Sequence, residues 1–349
     1  MRVVVGISGG VDSAAAAALL VRKGFEVTGV YLRLHKENKG EDRAGHIAEI
    51  LGIRFLTVSA EKIFNENVLL PFFQAYGRGE TPNPCVLCNE KVKFATLFSV
   101  SDSLGGGFVA SGHYAGIRNV PAGPLLVKAL DREKDQSYML YRVPAGMLSR
   151  IVFPLGGMTK SEVREMASTV FPGVFDDIPE SSDICFIPEG DLPGIVEART
   201  GPFEPGNIIA VTGEILGRHR GINMFTIGQR KGLSLPNGPW FVVGKKLDTH
   251  DLIVGRKDDL VVGKVFCSHP VWHLEPKPGS QLEACRRYRC RADRCVISGI
   301  TKTSFVCSFP GGTSGIAPGQ SLVLYSNDTV FGGGIIEKAE KGGPTQNEE

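Results

Sequence analysis

The 349-residue chain has no apolar run long enough to cross a membrane, and the apolar run at its start is too short for a signal peptide. These absences predict a cytoplasmic protein without a membrane partner. Eight cysteines in a reducing compartment do not favour a structural disulfide framework. Chemistry, metal binding and burial remain as reasons for their presence.

Two common nucleotide-binding motifs are also absent. The chain has neither the G-x-x-x-x-G-K-[ST] phosphate loop nor the G-x-G-x-x-G dinucleotide fingerprint, which disfavours the protein classes built on them. It shows no internal repeats. Its net charge of +2 does not by itself indicate a class of partner.

A different glycine-rich segment, GISGGVDS at Gly6–Ser13, follows the first predicted strand and opens the first predicted helix. Gly9 and Gly10 allow a tight turn and a close approach to a ligand, and the amides at a helix start favour an anion. Two serine hydroxyls add donors, and Asp12 is placed to hold a magnesium ion. A plain glycine turn is the alternative, but the pattern resembles the loop of enzymes that cleave ATP to AMP and pyrophosphate.

Strand-like and helix-like segments alternate over the first half of the chain. β-branched runs predict strands, and runs rich in Ala and Leu predict helices. This alternation predicts an α/β fold with a doubly wound parallel sheet, which binds ligands at the carboxyl ends of its strands. The predicted strands cover residues 2–8, 25–34, 53–58 and 108–111, and the predicted helices cover residues 11–23, 41–51, 61–76 and 87–104.

The composition changes twice farther along the chain. From Gly201, short β-like runs alternate with turn residues, and from Asp258 a second series of such runs predicts a small all-β barrel. We therefore predict an α/β catalytic domain over residues 1–200, a small central β domain over 201–258, a C-terminal β-barrel over 259–338 and a disordered tail over 339–349.

The segment NPCVLCN carries two cysteines, Cys85 and Cys88, at a spacing typical of a redox pair, half a metal site or a sulfur-handling centre. It stands in a series of motifs that continues with KVKF, SGHY, KDQSYMLY, FPLG, ICFI, TIGQRKGL, PGQ and GGGII. Together these motifs resemble those of the bacterial tRNA-specific 2-thiouridylase family. The resemblance runs from the first strand to about Glu337.

The resemblance implies an enzyme of the ATP-pyrophosphatase type that 2-thiolates uridine at wobble position 34 of tRNA. Transfer of AMP to the C2 oxygen turns a poor leaving group into a good one, and a sulfur nucleophile then displaces AMP. The family's nucleophile is a persulfide on the ICFI cysteine, which is Cys185 here. Cys88 assists release and can become disulfide-linked to it. The implied partners are tRNA and a persulfide donor, either a cysteine desulfurase or a sulfur carrier.

Further site residues carry over from the resemblance, position by position. Catalysis is assigned to Cys88, Cys185 and Asp12. The implied ATP contacts are Gly6, Ile7, Ser8, Gly9, Gly10, Val11, Asp12, Ser13, Leu32 and Gly112. The implied tRNA contacts are Asn83, Pro84, Cys85, His113, Lys134, Asp135, Gln136, Arg287, Tyr288 and Gln320.

The segment QLEACRRYRCRADR places five arginines around Tyr288. On a strand, alternate arginines would share one face, pair with phosphates and leave the tyrosine to stack on a base. A charged edge strand facing solvent is the alternative. The later cysteines lack paired metal-ligand spacing, and burial is predicted for Cys267, Cys285, Cys290, Cys295 and Cys307.

We expect Cys88 at the start of the helix over 87–104, where the helix N-terminus and Lys91 would lower its pKa. Two mechanisms remain open for the thiols of Cys85, Cys88 and Cys185. They would hold a four-iron cluster with one open iron, or Cys185 carries a persulfide that Cys88 resolves. The persulfide route is preferred because it needs two cysteines and ordinary thiol exchange.

Two departures from the family pattern keep alternatives open. The loop RLHKENKGED after Leu32 is short, basic and without tryptophan, and Asp183 stands where the family commonly has glycine. They support a tRNA-binding paralogue with lost or altered sulfur transfer. The other alternative is a different carbonyl-adenylating enzyme of the same loop class, such as an amidating synthetase, which has no need of Cys88 and Cys185.

Overall fold

The computed structural model describes residues 1–35, 40–121, 123–176, 184–187 and 191–341. No helix among them is long and apolar enough to span a bilayer. The strands, in chain order, are β1 (Arg2–Gly6), β2 (Glu26–Arg33), β3 (Arg54–Ser59), β4 (Phe108–Ala110), β5 (Gly116–Val120), β6 (Gly123–Val127), β7 (Ile151–Val152), β8 (Gly206–Ala210), β9 (Ile215–His219), β10 (Phe241–Lys246), β11 (Asp251–Gly255), β12 (Val261–Trp272), β13 (Gln281–Cys285), β14 (Asp293–Ile300), β15 (Ser304–Ser314), β16 (Ser321–Ser326) and β17 (Thr329–Glu340).

The α-helices are α1 (Val11–Arg22), α2 (Glu41–Ile50), α3 (Glu61–Phe64), α4 (Leu70–Gly77), α5 (Pro84–Leu87), α6 (Ala95–Ser103), α7 (Ser137–Leu140), α8 (Lys160–Val170) and α9 (Leu192–Thr200). Short 3₁₀ turns cover Ala145–Arg150, Ile222–Met224 and Lys257–Leu260. The two helices predicted over residues 61–76 and 87–104 each contain a π-helical segment. Asn65–Leu69 joins α3 to α4, and Cys88–Phe94 joins α5 to α6.

Five strands form a parallel sheet in the order β3-β2-β1-β4-β7. The valines of β1 are buried, as a strand covered on both faces requires. Alanines of α1 pack against it, because small side chains let a helix approach a sheet closely. The predicted doubly wound sheet is confirmed. Its strand order reverses between β1 and β4, which is where such sheets bind ligands.

The described chain forms two compact units. The predicted boundaries at residues 200 and 258 stay predictions, because each unit is assembled from interleaved segments of the chain. The first unit comprises the described residues within Met1–Leu69, Pro84–Phe186 and Asn327–Val330, and the second comprises those within Leu70–Asn83, Ile187–Ser326 and Phe331–Glu349.

The second unit holds the two predicted β regions. A four-stranded sheet has the order β10-β11-β8-β9. The barrel has the order β12-β15-β14-β13-β16-β17 and closes through pairing of β12 with β17. Its interior is filled by apolar side chains such as Val265, Ile297 and Phe305, so the C-terminal barrel is confirmed. Strand β17 reaches Glu340, into the predicted tail, and residues 342–349 lie outside the described chain.

Candidate functional site

The phosphate loop follows β1 and ends in the first turn of α1. The backbone amide of Ser8 donates to the hydroxyl of Ser13 at 3.1 Å, and that hydroxyl donates to the carbonyl of Gly10 at 2.9 Å. These bonds fold the loop back over the helix start. The N-cap of α1 is Gly10, which supplies no capping side chain. The first amides of α1 are therefore left for an anion, as a phosphate site requires.

Two close approaches explain the glycines of this region. Gly9 has a φ of 82°, a left-handed conformation that favours glycine, and a Cβ there would lie 2.6 Å from the Gly40 carbonyl oxygen. Gly112, just after β4, lies against the start of α1. A Cβ on Gly112 would lie 2.7 Å from the carbonyl oxygen of Asp12. The carboxyl ends of β1 and β4 therefore meet at the point where the strand order reverses.

Asp12 is held by two donors in the first unit. The ammonium of Lys160, at the start of α8, donates to its Oδ1 at 2.6 Å, and the hydroxyl of Tyr114 donates to the same oxygen at 2.9 Å. The side chain of Lys160 is 14% exposed and that of Asp12 is 36% exposed. A partly buried positive charge is thereby fixed beside the phosphate loop.

The cysteine pair of NPCVLCN lies on one helical face. Cys85 is in α5, and Cys88 begins the π-helical segment, so the two thiols are three residues apart, which is neighbouring on a helix. Lys93 follows Cys88 by five residues. In an α-helix it would lie about 140° around the axis, but the wider i→i+5 turn of a π-helix brings it toward the cysteine face.

Cys185 is placed by its neighbour Phe186. The ring of Phe186 meets Phe64 edge to face, with centroids 5.7 Å apart, and packs on the apolar cluster that includes Cys88 and Val92. The thiol of Cys185 consequently interacts electrostatically with those of Cys85 and Cys88. The structure thus brings together the three cysteines predicted from sequence.

Burial controls the protonation of this cluster. Desolvation raises the pKa of Cys88 to about 11, against the attraction of Lys93. It also raises the pKa values of Cys85 and Cys185, the second of which lies in an exposed turn but is still surrounded by protein atoms. Burial pulls the pKa of Lys93 down, but attraction to the cysteines outweighs it and the net shift is upward. At neutral pH the cluster holds thiols and one ammonium, and Lys93 stabilises any thiolate that forms.

The predicted lowering of the Cys88 pKa is wrong. The helix starts at Pro84, so Cys88 lies beyond its first turn and away from the N-terminal amides. Lys91 does not serve the thiol, because its ammonium pairs with Glu90 at 3.0 Å and its side chain is 50% exposed. Burial then dominates the pKa, and the cation near the thiol is Lys93.

His113 connects the thiol cluster to the phosphate loop. Its Nδ1 lies 2.7 Å from the hydroxyl of Ser111, and its ring stacks on Phe94 with centroids 6.1 Å apart. Desolvation and the charge of Lys93 lower its pKa to about 3, so the imidazole is neutral at physiological pH. The preceding residue, Gly112, lies against Asp12. In the dipeptide Gly112–His113, the first residue is therefore next to the phosphate loop and the second is near Lys93.

Asn89 presents an unusual buried acceptor next to Cys88. Its amide nitrogen donates to the carbonyl of Met139 at 3.0 Å, and the residue is 2% exposed. The Oδ1 atom has no hydrogen-bond partner among the described residues. A buried acceptor without a partner is typical of a place where a ligand or water binds.

The predicted tRNA-contacting stretch at 134–136 is partly engaged within the protein. The carboxylate of Asp135 accepts from the amide of Ala129 at 2.8 Å and from the hydroxyl of Ser137 at 2.8 Å. The side-chain oxygen of Gln136 accepts from the amide of Tyr114 at 2.9 Å. These bonds shape the loop, and its contact with tRNA stays a prediction.

Three distant motifs meet at Thr81 in the second unit. Its hydroxyl lies 3.0 Å from that of Thr226 in TIGQRKGL, its amide donates to the carbonyl of Pro318 at 2.8 Å, and the amide side chain of Gln320 donates to its carbonyl at 2.7 Å. Asn83 follows in the same unit. The structure therefore brings Gln320 close to the TPN segment, whereas Leu32 lies on β2 in the first unit.

Four of the five arginines, Arg286, Arg287, Arg289 and Arg291, do not lie on a strand, so the argument from alternate faces is wrong. Strand β13 ends at Cys285, and β14 begins at Asp293. Arg287 and Tyr288 therefore lie in the connecting loop, and the guanidinium of Arg289 stacks on the Tyr288 ring at 5.0 Å. The loop still exposes Arg287 and Arg289, and their contact with tRNA stays a prediction.

Burial is confirmed for three of the later cysteines, Cys267, Cys295 and Cys307, which lie in the barrel core. It is wrong for Cys285 and Cys290, which are half-buried. Cys285 is the last residue of β13 and Cys290 lies in the loop after it, so neither side chain is in the barrel core.

Sequence reasoning missed Lys93, Asn89, Lys160 and Tyr114. The KVKF and SGHY motifs contain two of them, but a motif does not say which of two lysines faces a thiol. No sequence pattern indicated Lys160, because its contact with Asp12 joins residues that are far apart in the sequence. Among the described residues, no group of three or more His, Cys, Asp or Glu side chains is arranged to hold a metal ion. Asp183 and residues 36–39 of the shortened loop lie outside the described chain.

Three family models match the chain in succession. They are the tRNA methyl transferase HUP domain over residues 1–189, the tRNA methyl transferase PRC-barrel domain over residues 197–256 and the Aminomethyltransferase beta-barrel domain over residues 262–336. The first covers more than half of the chain and contains both the phosphate loop and the three thiols.

Curated relatives named tRNA-specific 2-thiouridylase MnmA match nearly the whole chain. The relative from Lachnoclostridium phytofermentans is 36% identical, over 97% of this chain and 99% of its own. The relative from Dehalococcoides mccartyi is 37% identical, over 96% of each chain. The relative from Syntrophotalea carbinolica is 39% identical, over 96% of this chain and 98% of its own. Because these relatives match nearly the whole chain at 36–39% identity, this protein belongs to the tRNA-specific 2-thiouridylase family.

Proposed function

We propose that the chain catalyses ATP-dependent 2-thiolation of the wobble uridine of tRNA. The observation that carries the proposal is the connection, through Gly112 and His113, between a phosphate-binding helix start and three thiols around Lys93. Activation of an oxygen by AMP and its replacement by sulfur need these two sites side by side. Methyl transfer, named in the descriptions of the family models, has no such need of paired thiols.

The phosphate loop performs the first step. The amides at the start of α1 hold the ATP phosphates, and the ammonium of Lys160 offsets negative charge beside them. The C2 oxygen of uridine attacks the α-phosphorus, and pyrophosphate leaves. Fixed positive charge beside the phosphates lowers the barrier because it needs no reorganisation when charge develops.

The thiol cluster performs the second step. A persulfide donor, either a cysteine desulfurase or a sulfur carrier, loads Cys185. The terminal sulfur attacks C2, and AMP leaves with the C2 oxygen. The thiolate of Cys88 then attacks the Cys185 sulfur, which breaks the sulfur–sulfur bond and releases 2-thiouridine. The resulting Cys88–Cys185 disulfide is reduced by an external thiol. Lys93 stabilises the thiolate that each exchange requires.

The residues favour neither the magnesium ion expected from sequence nor the iron–sulfur cluster that the sequence left open. Asp12 was the predicted magnesium ligand, but its Oδ1 is already held by Lys160 and Tyr114. The three cysteines share a lysine ammonium and do not form a group arranged for metal binding. We derive no step through magnesium or an iron–sulfur cluster, and the persulfide route is the one proposed.

The tRNA contacts proposed for this reaction divide between the two units. Pro84, Cys85 and His113 belong to the first unit with the thiols. Asn83 and Gln320 belong to the second unit, as does the loop that exposes Arg287. The family's substrate supports tRNA as the partner.

Expression in a bacterial strain that lacks 2-thiouridine tests the proposal. Nucleosides from total tRNA are analysed by mass spectrometry. We expect the wild-type chain and Lys91→Met to restore 2-thiouridine, and Cys185→Ser and Cys88→Ser to fail. ATP cleavage with tRNA but no thiolation by the wild type would favour the inactive paralogue, and ATP cleavage without tRNA would favour an amidating synthetase.

A further inference from the structure

A second thiol pair lies in the loop between β13 and β14, in the second unit. Cys285 ends β13, and its thiol donates to the carbonyl oxygen of Cys290 at 3.5 Å. The Cys285 side chain also interacts with the Cys290 sulfur, and its single proton can serve either acceptor. The loop is folded tightly, since the amide of Cys290 donates to the carbonyl of Arg287 at 3.3 Å and Arg289 adopts a φ of 57°.

The surroundings of Cys290 favour a negative sulfur. The hydrogen bond from Cys285 is the largest influence, and it outweighs desolvation. The backbone amides of Arg287 and Arg286 add hydrogen bonds, and the guanidinium of Arg286 adds positive charge. On β14, Asp293 faces this loop, but its carboxylate is bound by Arg286 at 2.6 Å and by the hydroxyl of Thr313 at 2.6 Å.

The remaining barrel cysteines have the opposite environment. Cys267, Cys295 and Cys307 are buried in the apolar core. Desolvation raises the pKa of Cys267, and a hydrogen bond with Cys295, together with desolvation, raises the pKa of Cys307. Cys285 and Cys290 are half-buried, so a small solute can reach them. The contrast singles out one pair within the same barrel.

We propose that Cys285 and Cys290 form a redox-sensitive site that reacts with a hydroperoxide and closes a disulfide across the arginine loop. The proposal is independent of the sulfur-transfer reaction, which uses cysteines of the first unit. Reactive cysteines are exposed thiolates poised next to a resolving thiol, and this loop supplies both members of such a pair.

The chemistry balances with the peroxide as the oxidant. The Cys290 thiolate attacks one peroxide oxygen, the oxygen–oxygen bond breaks, and the leaving hydroxide takes up a proton to become water. The product is a sulfenic acid on Cys290. The sulfur of Cys285 then attacks the Cys290 sulfur, and a second water leaves. Two thiols and one hydrogen peroxide become one disulfide and two waters.

Alkylation kinetics test the reactivity of Cys290. Full-length protein is treated with iodoacetamide across a pH series, and the modified peptides are quantified by mass spectrometry. Because the pKa of Cys290 is lowered to about 6, its rate should reach half of its plateau near pH 6, roughly 2.5 pH units below a free cysteine. An ordinary profile near that of a free cysteine would overturn the proposal.

A matched pair of variants separates the hydrogen bond from general loop effects. Both Cys285→Ser and Cys285→Ala remove the resolving thiol, but a serine hydroxyl still donates to the Cys290 thiolate. We expect the Cys290 profile to move to higher pH in C285A and to move less in C285S. Equal profiles for wild type and C285A would show that the pair does not activate Cys290.

Peroxide treatment tests the disulfide. Trypsin cleaves after Arg286, Arg287 and Arg289, so a Cys285–Cys290 disulfide would hold two tryptic peptides together with the loss of two hydrogen atoms. We expect this linked species in the wild type and a dimedone-trapped sulfenic acid on Cys290 in C285S. Peroxide-treated protein in which Cys290 stays a thiol, or pairs with a different cysteine, would refute the site.

Discussion

Replacing Lys93 by methionine removes the ammonium that lies among Cys85, Cys88 and Cys185 while keeping the length of the side chain. Two unit charges roughly 6 Å apart in an effective dielectric near 20 attract by about 3 kcal/mol. That energy corresponds to roughly a 100-fold loss of the Cys88 thiolate at a fixed pH. A more basic thiolate is also a better nucleophile, with a Brønsted slope of about 0.4–0.5. Each remaining thiolate therefore reacts about tenfold faster, which offsets about tenfold of the 100-fold loss.

We therefore expect Cys88 in Lys93→Met to react with iodoacetamide about tenfold more slowly at pH 8.5 than in the wild type. Single-turnover sulfur transfer from persulfide-loaded protein should slow in the same proportion. Lys93→Arg keeps the charge and should retain most of the rate. Lys91→Met removes a charge two residues away, from an exposed side chain paired with Glu90, and should leave the rate unchanged.

We expect Lys93→Met to fold, because burial disfavours the Lys93 ammonium and the cysteines around it are neutral thiols at pH 7. The substitution therefore leaves no buried charge without its partner. A melting temperature close to that of the wild type would separate loss of charge from loss of structure. Cys88 alkylation at the wild-type rate in Lys93→Met would refute the reasoning. An equal loss in Lys91→Met would refute it as well, since the effect would then not be specific to the thiol cluster.

Three other perturbations have defined outcomes. Lys160→Met should reduce tRNA-dependent pyrophosphate release on the order of 100-fold, because the phosphate loop loses its fixed cation; Lys160→Arg should recover part of it, and unchanged release would exclude the role. His113 has its pKa lowered to about 3 from 6.5, so it stabilises the fold above pH 6.5 and that stability is lost as the pH falls from 6.5 toward 3. His113→Gln should reduce the slope of the free energy of unfolding against pH, measured by urea unfolding between pH 6.5 and pH 3, by up to about 1.4 kcal/mol per pH unit. Equal slopes for His113→Gln and the wild type would contradict the burial argument. The double variant Arg287→Gln/Arg289→Gln should reduce the slope of log tRNA affinity against log salt by roughly one to two, and an unaltered slope would place the phosphates elsewhere.

The sheet and the phosphate loop were predictable because local rules determine them. A strand of buried valines followed by Ser-Gly-Gly and an alanine-rich helix admits few other folds, and Gly9 adopts the left-handed φ that its residue type favours. The position of Asp12 at the start of α1 follows from the same pattern. Its partner Lys160 does not, because the 2.6 Å contact joins residues far apart in sequence through the packing of α1 against α8.

The thiol cluster shows a subtler limit. The prediction for Cys88 assumed a regular α-helix. The π-helical segment Cys88–Phe94 changes the rotation per residue, so that Lys93 and not Lys91 lies beside Cys88. The direction of the shift in the Cys88 pKa depends on burial by Phe64 and Val68, which belong to another helical segment. In the barrel, the run Arg286–Arg291 contains no glycine, proline, asparagine or aspartate, so nothing in it indicated a turn.

The interleaved segments of the two units have a consequence for how the chain is made. The amide of Lys128 donates to the carbonyl of Asp328 at 2.8 Å, and both residues belong to the first unit. This contact closes a loop from Lys128 to Asp328. Closing so long a loop is slow, and contacts between residues distant in sequence raise the contact order. The first unit therefore cannot be completed on the ribosome until almost the whole chain has emerged. A fragment cut at Phe186 would lack Asn327–Val330, so expressing the catalytic half alone would give an incomplete folding unit.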